Sequence, residues 1–234
     1  MDTESKPNPR GFFASTGYPS ILHPISAQLF AHLVRLYENN SESVPSKYDD
    51  ILAHLARHPA YVEAAQLQDI EKVVTLQAGR LERKTGKLSG EGVSITMLSN
   101  LSHLVQHTPA EMSSHQVLML LDMFCSCGPV FLGSEATYRT KVAFFKLVNI
   151  YLNAYGRDVS GRCSSLLKAL LGPTMAALNS NNDGLKDVAA EYLYIQLVLG
   201  GFEPLPSVES DDWMVLLERI FSWAIQQTKE TKNW

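Results

Sequence analysis

From Pro24 onward, apolar residues return at spacings of three and four, the rhythm of helices that bury one face. Ile25, Leu29, Leu33 and Leu36 predict a first helix. Pro24 suits its start, where a missing amide is not needed. Asn39, Asn40 and Ser41 end it. Ser46 is placed to cap a second helix, with Tyr48, Ile51, Leu52 and Leu55 on one face. Pro59 opens a third, carrying Val62, Ala65, Leu67, Ile70, Val73, Val74 and Leu76, with Gly79 ending or weakening it.

The second half continues the pattern. Val93 to His107 carries Ile95, Leu98, Leu101, Leu104 and Val105. Ser113 with Gln116 has the form of a capping box before Val117, Leu118, Leu120, Leu121 and Phe124, and Gly128-Pro129 is expected to stop that helix. Ser134 then caps a long helix with Tyr138, Val142, Phe145, Val148, Leu152 and Tyr155. Phe144, Leu147 and Ile150 lie off that stripe, so the helix is apolar nearly all round and expected to be packed on two sides. Leu166, Leu167, Leu170, Leu171, Met175 and Leu178 follow, on a helix that Pro173 is expected to bend. Asp183 is placed to cap the next, with Leu185, Val188, Ala189, Tyr192, Leu193, Ile195 and Leu199 inward, before Gly200-Gly201. Ser210 precedes a last helix bearing Trp213, Val215, Leu216, Leu217, Ile220, Phe221, Trp223 and Ile225.

No stretch shows sustained strand alternation. The fold class is therefore all-α, with about eight or nine helices. Residues 1–20, rich in proline and glycine, read as a flexible tail, and 21–234 as a single helical domain. The segment 80–92, RLERKTGKLSGEG, reads as an exposed loop within it. Predicted helix starts at Val93, Glu135 and Gly184 stand 42 and 49 residues apart. That is close to the period of about 40–47 residues in helical-repeat arrays.

One unit carries a more specific likeness. The run from Leu178 to Leu193, LNSNNDGLKDVAAEYL, resembles the core of a HEAT repeat. That family has a leucine closing one helix, a short Asp/Asn turn, then charged-Val-x-x-Ala-x-x-x-Leu. Lys186, Val188, Ala190 and Leu193 stand near those places, with Asp187 intervening, and Pro173 is similar to the proline of the family's bent first helix. The resemblance covers about one repeat of perhaps four. It implies a HEAT/armadillo-like α-α superhelix that serves as a scaffold for other proteins. A fainter resemblance is to a piece of the large armadillo-like scaffolds of the meiosis inhibitor kind. It implies a nuclear complex acting in meiotic recombination-break formation.

Composition narrows the chemistry. Hydrophobic residues make up 45% and charged residues 19%, enough for a substantial core. The net charge of −4 gives no general attraction to nucleic acid or anionic membrane. Cys125, Cys127 and Cys163 are too few for a disulfide framework, so a reducing, intracellular setting, cytoplasmic or nuclear, is expected. The first 20 residues lack a signal-peptide core, and no apolar run approaches the roughly 20 residues of a membrane span.

His54/His58 and His103/His107 are each spaced i, i+4, as a helical metal pair would be. Both have Leu where a zinc protease needs its Glu, and neither has an evident third ligand. The bland reading is half-buried polar histidines. Cys125-Ser-Cys127 has the wrong spacing for a zinc knuckle and reads as buried small side chains. Ser165-Leu-Leu-Lys168 lacks the companion motifs of S-x-x-K enzymes, and Gly86-Lys87 is followed by Leu88 rather than Ser/Thr.

Arg80, Arg83, Lys84 and Lys87 form the one basic cluster, a candidate contact for phosphates or an acidic partner, set against a merely solvated loop. Trp234 is a candidate docking anchor. No catalytic, cofactor-binding or metal residue is assigned. The reading is a non-enzymatic scaffold with protein partners. A helical-bundle enzyme or metal protein using the His and Cys positions is one alternative, and a nucleic-acid adaptor using residues 80–87 another.

Overall fold

The computed structural model describes residues 22–39, 46–84, 91–108 and 111–199, with Leu217, Glu218, Phe221, Ser222 and Ile225. Among them every regular element is helical. The helices are α1 (Leu22–Asn39), α2 (Ser46–Ala56), α3 (Pro59–Glu63), α4 (Leu67–Lys84), α5 (Glu91–His107), α6 (Ser114–Phe131), α7 (Tyr138–Tyr155), α8 (Cys163–Leu178) and α9 (Asp183–Val198). A 3-10 turn, Ser160–Arg162, leads into α8. No described helix is long and apolar enough to cross a membrane. The expected N-terminal tail and most of the expected last helix lie outside the described residues.

The contacts sort the long helices into two rows. α1, α4, α6 and α8 lie side by side in one, and α2, α5, α7 and α9 in the other. The pairs α1/α2, α4/α5, α6/α7 and α8/α9 join the rows. Each long helix thus packs on its own partner and on the adjacent pairs. The short α3 is the crossing piece and touches α1, α2 and α5.

This crossing explains why the expected third helix is two. The chain must turn at Ala64–Gln66 before α4 can lie beside α1. Gly79 does not end α4, because Ala78, Arg80 and Leu81 around it are all buried and hold the helix through to Lys84. Residues 80–84 are therefore helix rather than loop, as are Glu91 and Gly92 at the start of α5.

Other local signals resolve differently. In α1 the buried stripe is Phe30, Leu33, Val34 and Tyr37, while Ile25 and Leu29 are exposed; in α2, Ile51 is exposed. Gly128-Pro129 does not stop α6. Proline in the last turn forfeits only one ladder bond, the Leu132 amide still reaches the Gly128 carbonyl at 2.9 Å, and Phe131 anchors the turn in the core. Ser134 lies in the turn before α7, whose cap position is taken by Thr137. Ser113 occupies the cap position of α6, but its side chain makes no capping bond; its amide donates to Glu71 Oε1 on α4 at 2.6 Å. Asn182, not Asp183, caps α9: its Oδ1 accepts from the Leu185 amide at 2.9 Å. Asp183 begins the helix, where its charge suits the N-terminal dipole. Pro173 sits inside α8, which continues to Leu178, and Thr174 Oγ1 donates to the Leu170 carbonyl at 2.6 Å.

α7 is the central helix, in contact with α5, α6 and α9. Phe144 meets Phe124 edge-on and stacks on Phe131, Tyr151 meets Phe124 at 5.0 Å, and Phe145 faces Tyr192 of α9. Gly128 lets α6 approach this cluster: a Cβ there would lie 2.2 Å from Leu170 Cδ2 and 3.4 Å from Phe144 Cζ. Both neighbours are fully buried, so the Leu170 side chain would have to shift within a packed core. Gly128→Ala is therefore expected to destabilise the fold by about 1–3 kcal/mol through overpacking. Equilibrium urea denaturation checks it, and a neutral result would show that Leu170 relaxes freely.

Candidate functional site

Among the described residues the largest side-chain hydrogen-bond cluster is buried. Asp49 of α2 is 2% exposed and lies on the inward side with Leu52, Leu55 and Ala56. Arg80 of α4 grips it with both terminal nitrogens, Nη1 to Oδ1 at 2.6 Å and Nη2 to Oδ2 at 3.0 Å. Tyr37 of α1 donates its hydroxyl to Oδ1 at 3.1 Å. Gln77, one turn before Arg80, donates Nε2 to the same oxygen at 3.1 Å and to the Tyr37 hydroxyl at 3.0 Å. Asn100 of α5 donates Nδ2 to the Asp49 backbone carbonyl at 3.2 Å. The Arg80 guanidinium also lies 5.5 Å from the Tyr37 ring centre. Burial, then the adjacent Asp49 carboxylate, push the Tyr37 hydroxyl far above its usual range, so it acts only as a neutral donor and acceptor. Gln77 Oε1 and Asn100 Oδ1 remain buried without a protein partner.

Arg80 therefore does not belong to an exposed basic cluster. It is 9% exposed, and both its terminal nitrogens are committed to Asp49. Arg83, three residues on, is exposed at the end of α4. Lys84 ends that helix, with its side chain outside the described residues, as are Lys87 and Trp234. Of the five sequence candidates only the Arg80 and Arg83 side chains are described, one buried and one exposed.

The network escaped the sequence reading because its partners are 12 to 51 residues apart. A local signal existed nonetheless. Asp49 precedes Leu52 and Ala56 by three and seven, and Gln77 follows Val73 and Val74 by four and three, so both polar residues sit on apolar stripes.

The histidine pairs behave as neighbours within each pair. His54 and His58 meet edge-on at 5.2 Å, and His103 and His107 stack at 6.0 Å. Among the described residues, no three His, Cys, Asp or Glu side chains are grouped so as to hold a metal ion. Burial, then the nearby His107 and Arg57, lower the affinity of His103 for a proton. Burial does the same to His107, with Glu63 of α3 opposing it. All three cysteines are free, and burial raises each thiol above its ordinary range, which disfavours the thiolate a nucleophile or metal ligand needs.

A second buried clasp joins α7 to α9. Asn149, 2% exposed, donates Nδ2 to the Val188 carbonyl at 3.0 Å and to Glu191 Oε2 at 2.9 Å. Comparison with protein-family models, with curated proteins and with solved structures finds no match to this chain.

Two predictions follow from the geometry. Arg80→Ala strands a buried carboxylate and is expected to lose about 3–5 kcal/mol in urea denaturation. Asp49→Asn combined with Arg80→Met should recover much of that loss, since no charge remains. A loss below about 1 kcal/mol for Arg80→Ala would mean that the pair is hydrated.

The second concerns pH. Folding lowers the proton affinity of His103 and His107, so the unfolded chain binds more protons below about pH 6.5. Stability is expected to fall as pH drops through that value towards the lower folded pKa. In His103→Gln/His107→Gln this part of the slope should vanish. An unchanged slope in that variant would assign it to other groups.

Proposed function

We propose that this chain is a non-enzymatic scaffold, a HEAT/armadillo-like superhelix of stacked helix pairs that binds other proteins. The observation that carries the reading is the wiring of the helices: each long helix packs on its partner and on adjacent pairs, in two rows of four. Nearest-neighbour wiring is what a repeat array has, where no pair buries its apolar face alone.

Spacing adds support. α5, α7 and α9 begin at Glu91, Tyr138 and Asp183, 47 and then 45 residues apart. Two Gly-Pro steps fall inside helices of the other row, Gly128-Pro129 in α6 and Gly172-Pro173 in α8, and stand 44 residues apart. Both intervals match the period of about 40–47 residues of such arrays. From fold to function the step is associational: arrays of this kind present an extended surface, and binding is their common use.

The test is affinity purification of the tagged full chain from cells that express it, followed by quantitative mass spectrometry with cross-linking. A scaffold is expected to bring down the same proteins reproducibly and near stoichiometry, with cross-links on the row α2, α5, α7, α9 or on the row α1, α4, α6, α8. A chain that is recovered alone and turns over a small molecule would overturn the proposal.

A further inference from the structure

The outer face of α7 has a chemistry unlike the rest of the chain. Arg139 and Lys146 are exposed and seven residues apart, about two turns, so they share one face. Arg157, exposed just past the C-cap at Gly156, is eleven residues further on. Val142 and Ile150, both half-buried, fall between these cations at helical spacing. The opposite face, with Phe144, Phe145, Val148, Tyr151 and Leu152, is buried.

α7 contains no carboxylate, and neither does α5 from Gly92 to His107. In a chain with 24 Asp and Glu among 234 residues, stretches of that combined length would hold about three or four. Lys146 is in neither of the ion pairs Arg80–Asp49 and Lys186–Asp183. Arg139 lies over the Tyr138 ring at 5.9 Å. The nearest acidic groups in sequence are Glu135, exposed four residues before Arg139, and Asp158 beside Arg157; α9, packed on α7, adds Asp183, Asp187 and Glu191. Of these, Glu191 is held by Asn149 and Asp183 by Lys186.

We propose that this face of α7, with the neutral flank of α5, docks an acidic peptide segment interspersed with apolar residues, supplied by a partner protein. The inference rests on the scaffold reading and names the chemistry of what is held. Cations recognise the carboxylates, and Val142 and Ile150 supply apolar contact between them. α7 is about 27 Å long and matches about eight residues of extended chain. A nucleic-acid backbone fits less well. The cations form a single row, α9 beside them carries acids that repel a wide polyanion, and Tyr138 is the one exposed ring on this face for a base to stack on.

The experiment is fluorescence anisotropy on the full chain. The probe is a fluorescein-labelled peptide of about 12 residues, glutamate with leucine at every third position; its control replaces glutamate by glutamine. The glutamate peptide is expected to bind about tenfold or more tightly than its control, and to weaken as salt rises from about 50 to about 300 mM. Arg139→Gln/Lys146→Gln/Arg157→Gln should weaken it about tenfold, with an unchanged thermal melt. Lys72→Gln/Lys168→Gln, on the other row, should bind like the parent.

The inference is overturned if the glutamate peptide fails to bind, if the triple variant binds equally well, or if single-stranded DNA of matched length binds more tightly and is lost in the same variant. Should the triple variant keep every protein partner of the parent chain, this site fails while the scaffold reading stands. A parent chain without protein partners would instead sink the scaffold reading.

Discussion

A carboxylate enclosed by four helices has to be held or it drives them apart. Removing an ion from water costs several kcal/mol after relaxation, and Asp49 meets that cost with the two-pronged Arg80 grip and the donors of Tyr37 and Gln77. Those partners come from α1 and α4, and Asn100 ties the same residue's backbone to α5. One residue of α2 therefore ties down three other helices, two through its side chain and one through its backbone. Hydrocarbon packs acceptably in several registers; this set of bonds closes in one. The first two helix pairs are joined by directional chemistry at their centre.

The later pairs are joined by other means. In α6/α7 and α8/α9 the contacts include rings, from Phe124 on Phe144 within a pair to Phe145 on Tyr192 between pairs. Here close approach matters most, as at Gly128. Asn149 is the polar counterpart of Asn100: each buried amide reaches a backbone carbonyl of the neighbouring helix in the same row. Pairs linked in this way are fixed relative to their row neighbours by directional bonds, as the proposed docking surface requires.

Much of the architecture was legible from spacing alone. The helices α5, α7, α8 and α9 stand close to where apolar periodicity puts them, because a buried stripe at 3.6-residue spacing is a strong and local signal. The errors fall where a local rule met a tertiary demand. Gly128-Pro129 reads as a stop, but the burial of Phe131 outweighs one lost ladder bond. Ser113 and Gln116 have the letters of a capping box, yet Glu71 of another helix serves the terminus. Arg80 stands in a charged run, and only the fold brings it to Asp49, 31 residues earlier. The α7 face was overlooked for the opposite reason: its cations are too widely spaced along the chain to look like a cluster.

The contrast between the two kinds of junction also sets how the helix pairs respond to temperature. Apolar attraction weakens on cooling, whereas the penalty for stripping water from charged groups falls on heating. The junction around Asp49 and Arg80 gains relative to the rest in the warm, and the aromatic junction around α7 loses ground in the cold. Cooling therefore weakens both junctions, and warming shifts the balance towards the charged one.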